Sequence, residues 1–246
     1  MVRVKYCGIT SVEDAKFASK LGISALGYVF ADSKRKITVE KAREISRCLP
    51  PFVSKVGVFV NEDIELIQSI AGECLLNYIQ LHGDEGEDYV QELKKVLQKN
   101  NPTVGIIKAF KVKDLESIEE IAGFSARDHC QGYLLDAYDN NYHGGTGKSF
   151  NWELFNQIKN KTDIPLILAG GLKPDNIFAA LEKTSALGVD VSSGIESERK
   201  EMDGNGKKQG SLKSQENLVD KKVHKDHEKM KKFIVEIWRW QENVFW

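Results

Sequence analysis

A thiol and a carboxyl group, each directly following an apolar stretch, are the groups in this sequence best suited to proton transfer. Cys7 follows Val-Lys-Tyr, and Asp136 closes the run Gly-Tyr-Leu-Leu-Asp. A thiolate at Cys7 could remove a carbon-bound proton if the pKa of the thiol were lowered. On position alone, the sequence favours a small buried hydrophobe at Cys7, which is what most free cysteines are. Asp136 is poor core material unless it is paired, so acid or base work is favoured over capping of loop N–H groups.

Three further polar side chains could contact a bound molecule. Arg35 lies in the segment Ser-Lys-Arg-Lys. Its guanidinium could hold a carboxylate by a bidentate contact, although a charge cluster in a loop is as often simply solvated. His82 follows a predicted strand and is more typical of a hydrogen-bonded core or rim histidine than of a catalyst. Asp190 falls within the last predicted strand.

Two segments rich in glycine and serine indicate a phosphate site. The first, Ala-Gly-Gly-Leu, contains Gly170 and Gly171, and the second, Val-Ser-Ser-Gly-Ile, contains Ser192, Ser193 and Gly194. Glycines let backbone N–H groups approach phosphate oxygens, and serine hydroxyls add donors. Tight turning from strand to helix is the alternative explanation for these glycines.

A third glycine-rich segment lies shortly after Asp136 and contains Gly145, Thr146 and Gly147. A single segment of this kind is weak by itself, because it often marks only a turn. Its position beside a candidate acid predicts a mobile loop at the active site.

The elements that must position these residues alternate between short apolar strands and amphipathic helices. The predicted strands cover residues 2–7, 25–30, 55–60, 77–81, 104–110, 132–136, 165–169 and 189–192. Helices are predicted to begin at Thr10, Thr38, Asn61, Asp114 and Pro174. Eight such units favour a closed barrel over a doubly wound open sheet, which usually has fewer strands and a Gly-rich turn after its first strand.

The predicted fold class is therefore α/β, a single (β/α)8 TIM barrel over residues 1–246. The active site of such a barrel lies at the C-terminal ends of its strands. Residues 197–223 interrupt the pattern: they are strongly polar and contain no aromatic residue, so we predict a flexible insertion before the last helix. Helical periodicity then returns, and the aromatic tail from Trp238 is predicted to pack on the barrel exterior, with a contact to a partner or to a second copy as the alternative.

Composition and charge exclude several classes of protein. The 246 residues are 41% hydrophobic and 29% charged, with a formal net charge of −1, which argues against general binding to nucleic acid or membrane surfaces. No apolar run approaches the roughly 20 residues that span a bilayer, and the N-terminus lacks the apolar stretch of a signal peptide. We therefore expect a cytoplasmic protein whose four cysteines are free thiols, with no metal site.

Taken together, these segments resemble the phosphoribosylanthranilate isomerase family of tryptophan biosynthesis. The most specific matches are the start Val-Lys-Tyr-Cys-Gly-Ile-Thr and the late segment Asp-Val-Ser-Ser-Gly. The other matches follow in family order: Gly-Tyr-Val-Phe, Ser-Lys-Arg, Val-Gly-Val-Phe-Val-Asn, Ile-Gln-Leu-His-Gly, Leu-Leu-Asp, Gly-Gly-Thr-Gly-Lys and Ala-Gly-Gly-Leu. The pair Lys225 and Asp226, with the helix behind it, looks like the start of the family's last helix.

The resemblance implies a phosphate-binding barrel that performs an Amadori rearrangement of N-(5-phosphoribosyl)anthranilate without a cofactor. By position, Asp136 would be the general acid that opens the furanose, and Cys7 the general base that takes the C2 proton. Arg35 would contact the anthranilate carboxylate, and Gly171 with residues 192–194 would hold the phosphate. The remaining candidate substrate contacts are His82, Gly170, Gly145, Thr146 and Gly147. The expected partner is thus a small phosphorylated substrate, and the chain is expected to be a monomer or a homodimer.

The sequence departs from the family in two places. The long insertion replaces a short segment that normally contains Pro-Gly, and the aromatic tail is atypical, but neither removes a catalytic position.

The sequence leaves two alternative functions open. One is another sugar isomerase of the phosphate-binding barrels; the related enzyme of histidine synthesis uses two Asp carboxylates, so Cys7 argues against it. The other is a non-catalytic barrel that binds a phosphate ligand, which the joint presence of Cys7, Asp136 and Arg35 disfavours.

Overall fold

Eight parallel strands close into a barrel in the computed structural model of the protein, which describes residues 1–137, 152–198 and 223–245. The first strand pairs with the eighth, so the ring has no free edge. The strands are β1 (Arg3–Cys7), β2 (Ala25–Val29), β3 (Ser54–Phe59), β4 (Tyr78–Leu81), β5 (Gly105–Val112), β6 (Gly132–Ala137), β7 (Leu166–Leu168) and β8 (Gly188–Val191). The predicted barrel is confirmed, and the open sheet is wrong because an open sheet leaves its edge strands unpaired.

A helix follows each strand, and the buried face of each helix covers the outside of the barrel. The helices are α1 (Val12–Lys20), α2 (Val39–Cys48), α3 (Ile64–Glu73), α4 (Glu87–Asn100), α5 (Leu115–Gly123), α6 (Trp152–Lys159), α7 (Ile177–Thr184) and α8 (His227–Phe245). Short 3-10 helices lie at Ser125–His129 and Ser193–Ile195. Among the described residues, no helix combines the length and the apolar character that crossing a membrane requires.

The starts of the helices follow the chemistry of their caps. The predictions at Thr38 and Asp114 are confirmed, since each side chain accepts a hydrogen bond from the N–H group three residues later. The predictions at Thr10, Asn61 and Pro174 are wrong.

Neighbouring residues replace the two predicted caps at Thr10 and Asn61, and α7 begins later than the prediction from Pro174. Ser11 caps α1, because its hydroxyl oxygen accepts a hydrogen bond from the N–H of Asp14 at 3.0 Å. The side-chain oxygen of Asn61 is already used by the N–H of Asp84 at 2.8 Å, so Asp63 caps α3 instead. Pro174 lies in a turn before α7 and not in its first turn. Local sequence spacing placed these three helices, but it missed which side chains cap α1 and α3 and where α7 begins.

The last helix, α8, packs on the outside of the barrel beside α1. Its apolar face is buried as the periodicity predicted, through Met230, Phe233, Ile234 and Ile237. In the aromatic tail, Trp240 is buried, whereas Trp238 is 48% exposed. The predicted packing of the tail on the barrel therefore holds for Trp240 and is wrong for Trp238.

The two ends of the predicted insertion pair with each other. The strands β9 (Glu196–Glu198) and β10 (Val223–Lys225) form an antiparallel ribbon in which Lys225 lies opposite Glu196. Residues 197, 198 and 223 therefore belong to strands, and residues 199–222 lie outside the described residues. Because β9 follows β8 closely, the ribbon brings Lys225 to the C-terminal end of the barrel.

We predict that Tyr6→Phe lowers the free energy of unfolding by about 1–2 kcal/mol. The buried hydroxyl of Tyr6, on β1, donates to the carbonyl oxygen of Met230, on α8, at 2.6 Å. The buried hydroxyl of Tyr133 has no hydrogen-bond partner among the described residues. Tyr133→Phe is therefore the matched control and is expected to be neutral or stabilising in urea unfolding. Equal losses in the two variants would contradict the assigned bond.

Candidate active site

A cavity of about 350 Å³ opens at the C-terminal ends of the barrel strands. Its lining includes most of the predicted site residues, namely Cys7, Arg35, His82, Asp136, Gly170, Gly171, Ser192 and Ser193. The predicted contacts Gly145, Thr146 and Gly147 lie outside the described residues. Within the described part of the chain, no group of three or more His, Cys, Asp and Glu side chains is arranged to hold a metal ion.

Cys7 ends β1 with its thiol buried in this cavity. Gly27, on the neighbouring strand β2, makes room for the sulfur, because a Cβ atom at that position would lie 2.9 Å from Sγ. Burial raises the pKa of the Cys7 thiol above its ordinary value, the cations Lys5 and Lys225 act in the opposite direction, and Asp190 adds to the rise. The balance of nearby charges thus decides how readily this thiol ionises.

The cation closest in the chain to the thiol is Lys5, which was not singled out from the sequence. Its Nζ lies 3.0 Å from Oδ1 of Asp190 on β8, and both side chains are buried. The two residues are also direct partners in the pairing of β1 with β8. Burial alone would lower the pKa of Lys5, but Asp190 and Cys7 together raise it above the ordinary lysine value. Asp190 and Cys7 therefore favour the charged form of Lys5 inside the barrel.

Asp136 ends the apolar part of β6, and a short chain of hydrogen bonds holds it. Nε2 of His82 lies 3.2 Å from Oδ2 of Asp136, and Nδ1 of the same ring lies 2.8 Å from Nε2 of Gln80. When the Gln80 amide donates to Nδ1, the hydrogen of a neutral His82 ring sits on Nε2 and faces the carboxylate. His82 is thus a hydrogen-bonded histidine at the rim, as its position in the sequence favoured.

Arg35 makes a bidentate contact with a carboxylate that belongs to the chain itself. Its Nε and Nη2 atoms each donate to Glu196, both at 2.7 Å. Lys225 donates to the same carboxylate at 2.6 Å. Although burial raises it, the pKa of Glu196 is held below its ordinary value by Arg35 and Lys225. The Nε–Nη2 edge of the guanidinium is therefore in use, and its second bidentate edge, Nη1–Nη2, is not part of this contact.

Lys225 was not foreseen as a site residue, because the chain reaches it only after the insertion. Its side chain is buried, and besides Glu196 it donates to the carbonyl oxygen of Ser192 at 3.1 Å. The hydroxyl of Ser192 in turn donates to the carbonyl oxygen of Cys7 at 3.1 Å. One network thus connects Arg35, the loop after β8 and the strand that carries the thiol. The only sequence signal for this role was the resemblance of the pair Lys225 and Asp226 to the start of the family's last helix.

The glycines of the two predicted phosphate segments are required by close approach and by backbone conformation. A Cβ atom at Gly194 would lie 1.9 Å from the carbonyl oxygen of Leu172, so the loops after β7 and β8 touch at this point. Gly170 and Gly171 have φ values of +83° and +63°, in the left-handed region that favours glycine. These glycines therefore both allow the chain to turn tightly and leave the backbone uncovered by side chains.

The comparison with known proteins decides the identity. A family model described as N-(5'phosphoribosyl)anthranilate (PRA) isomerase matches residues 4–204. The chain belongs to this family. The N-(5'-phosphoribosyl)anthranilate isomerase of Trichlorobacter lovleyi is 43% identical over 198 residues, which cover 80% of this chain and 90% of that relative.

Two solved structures share the fold. One shows monomers generated from the dimeric phosphoribosylanthranilate isomerase of Thermotoga maritima; it has a TM-score of 0.73 at 33% identity and covers 97% of this chain and 100% of that one. The other is a phosphoribosylanthranilate isomerase in complex with reduced 1-(o-carboxyphenylamino)-1-deoxyribulose 5-phosphate. Its TM-score is 0.72 at 34% identity, with the same coverage of 97% and 100%.

Family membership also gives the activity. The chain is an isomerase of tryptophan biosynthesis, an intramolecular oxidoreductase that performs the Amadori rearrangement of N-(5'-phosphoribosyl)anthranilate. The family and the reaction implied by the resemblance are confirmed. The two alternatives, another barrel isomerase and a non-catalytic phosphate-binding barrel, are set aside by the same matches.

Proposed function

We propose that Asp136 and Cys7 carry out the two proton transfers of the rearrangement. Asp136 protonates the ring oxygen of the ribosyl group, which opens the furanose and leaves a protonated Schiff base at C1. Cys7, as a thiolate, then removes the C2 proton, and the resulting enolamine tautomerises to the ketose as C1 gains a proton and the hydroxyl on C2 loses one. The observation that carries this proposal is the placement of both groups on the wall of one cavity, from β6 and β1.

His82 is proposed to orient the acid and not to exchange the proton itself. It lies within hydrogen-bond distance of Asp136 on one side and of Gln80 on the other. A carboxyl group held in one direction needs no reorganisation when the ring oxygen accepts its proton, and such positioning is a large part of general acid catalysis.

The two anionic ends of the substrate are proposed to bind at separate places on the cavity rim. The phosphate lies against the loops after β7 and β8, where Gly170, Gly171, Ser192 and Ser193 line the cavity and Gly194 lets the two loops approach each other. The side chains behind these loops support the same placement, since the cations Arg35 and Lys225 outnumber the carboxylate Glu196. A local excess of positive charge favours an anionic ligand.

The anthranilate carboxylate is proposed to bind the second edge of the Arg35 guanidinium. Glu196 holds the Nε–Nη2 edge and fixes the plane of the group, which leaves the Nη1–Nη2 edge for a bidentate contact with substrate. Arg35 lines the cavity and keeps 30% of its side chain exposed, as an anion-binding group on the rim must.

We further propose that the enzyme acts as a homodimer in the cytoplasm. A cavity of about 610 Å³ lies at the N-terminal end of the barrel, and in its lining Phe52 is fully exposed and Leu187 is 73% exposed. Phe52 has a φ of 71°, which is rare for a bulky residue and holds its ring out in solvent. A protruding ring beside an open cavity suits a two-fold contact in which the Phe52 ring of each copy enters the cavity of the other. The free thiols found among the described cysteines suit a reducing compartment.

We predict that Cys7→Ala and Asp136→Ala each lower kcat by about 10²-fold or more, the range for a positioned acid or base. Turnover is followed by the loss of anthranilate-type fluorescence. Cys48→Ala, which alters an exposed thiol on α2, is the control and keeps the parent rate. A near-normal kcat in either folded site variant would show that the residue is not the general base or general acid proposed for it.

We predict that Arg35→Ala raises KM for the substrate by about 10-fold or more, since a hydrogen bond to a charged group is worth about 1.5–3 kcal/mol. Inhibition by ribose 5-phosphate, which has the phosphate but no carboxylate, should change little. Arg43→Ala removes an exposed guanidinium on α2 and serves as the charge-matched control. An unchanged KM for Arg35→Ala would show that its charge does not contact the substrate.

We predict that the parent protein sediments as a dimer and that Phe52→Glu sediments as a monomer with kcat retained. A buried unpaired carboxylate would oppose the proposed contact, while the active site lies at the other end of the barrel. Leu66→Glu, on the exposed side of α3, is the control and should stay dimeric. A dimeric Phe52→Glu variant would place the contact elsewhere.

A further inference from the structure

The barrel interior holds an ion pair that the proposed mechanism leaves unused. Lys5 and Asp190 lie beside the thiol of Cys7, and their charged atoms are 3.0 Å apart. We propose that Lys5 is a positioning residue for the base, whose ammonium group stabilises the Cys7 thiolate, and that Asp190 keeps this ammonium charged while moderating its effect. The inference rests on the proposed role of Cys7 as the base and adds the group that makes this role possible.

The geometry of β1 brings the two groups together. Lys5 and Cys7 are two residues apart on one strand, so their side chains point to the same side of the sheet, into the barrel. Gly27, on β2, faces both of them: a Cβ atom there would lie 2.9 Å from Sγ of Cys7 and 3.1 Å from Cε of Lys5. The sulfur and the end of the lysine chain therefore flank one point and lie within about 6 Å of each other. A glycine at this position is what lets them approach.

The cost of burial explains why the pair must contain both charges. Lys5 is 5% exposed and Asp190 is 8% exposed. A lone lysine at such a site tends to lose its proton, and a lone thiol tends to keep its own, since burial disfavours each charged form. With Asp190 in contact, Lys5 keeps its charge and lies near enough to stabilise a thiolate in surroundings of low dielectric.

The other charged groups that face the thiol are already engaged. Lys225, on β10, and Arg35, in the loop after β2, share the single carboxylate of Glu196. The part of β2 that contacts the sulfur is Gly27, which carries no charge. Among the described residues, Lys5 is thus the cation that lies next to the thiol beside Gly27, and Asp190 is the anion that opposes it.

The proposal makes opposite predictions for the two members of the pair. Lys5→Met removes the cation and leaves Asp190 facing the thiol, so the pKa of Cys7 should rise. Asp190→Asn keeps the shape of the side chain but leaves the Cys7 thiolate as the nearest counter-ion of Lys5, so the pKa of Cys7 should fall. A pair with a purely structural role would shift both variants in the same direction, because either change would loosen the same packing.

Alkylation by iodoacetamide measures the thiolate directly and does not depend on catalysis. The rate at Cys7 is followed against pH by mass spectrometry in the full-length protein without substrate, and the exposed Cys48 of the same molecules is the internal control. We expect the midpoint for Cys7 to rise by about one pH unit or more in Lys5→Met, which is about a tenfold lower thiolate fraction. It should fall in Asp190→Asn and return towards the parent value in Lys5→Arg. Unchanged midpoints, or a rise in both variants, would overturn the inference.

A second variant keeps the test valid if a single change prevents folding. Lys5→Met with Asp190→Asn removes both charges and leaves no unpaired ion in the core. We expect its midpoint for Cys7 to lie above the parent value, because the effect of Lys5 on the pKa of the thiol outweighs the opposite effect of Asp190. A midpoint equal to that of the parent would show that the pair does not act on the thiol.

The pH dependence of kcat/KM separates this inference from the proposed function. If Cys7 is the base, the acid limb of the profile shifts with the alkylation midpoint in each variant. If the alkylation midpoint of Cys7 shifts but the kinetic profile does not, Lys5 acts on Cys7 but Cys7 is not the base. If the alkylation midpoint does not shift, Lys5 does not act on the thiol, whatever the kinetics show.

Discussion

The pairing of β1 with β8 closes the barrel, and the whole site depends on this closure. It sets Lys5 opposite Asp190, 185 residues further along the chain, and brings the hydroxyl of Ser192 to the backbone of Cys7. Without the closing ladder, the candidate base and the proposed phosphate-binding loop after β8 would lie at opposite edges of a sheet. Because the ladder consists of backbone hydrogen bonds, it holds these groups in register independently of the side chains that the site needs for chemistry.

Two clusters of charged side chains lie at the site, and within each cluster the charges are paired. Lys5 pairs with Asp190, and Glu196 receives both Arg35 and Lys225. Breaking such a pair from one side leaves an uncompensated buried charge, which is why these residues are coupled to one another and to the fold. The pairing is uneven, because two cations share the one carboxylate of Glu196, and this excess of positive charge supports the proposed binding of an anionic substrate at the rim.

The ribbon of β9 and β10 holds together the two ends of the predicted insertion. The chain leaves the barrel after β8 and must return at α8, and the antiparallel pairing brings its two ends together at the rim. Glu196 on one strand and Lys225 on the other meet through their side chains as well. The ribbon thus adds a carboxylate and a cation to the site, whatever the length of chain between the two strands.

The alternation of strands and helices, and hence the barrel, was legible in the sequence, because local periodicity reflects which face of each element is buried. The ends of the strands likewise placed Cys7 and Asp136, since every C-terminal end of a parallel barrel opens on one rim. The partner of Arg35, the charge beside the thiol and the arrival of Lys225 were decided only by the tertiary structure. Buried charges are chosen by contacts across the closed barrel, between residues such as Lys5 and Asp190 that no local pattern relates. A sequence shows which groups need partners, and only closure of the fold determines which partners they find.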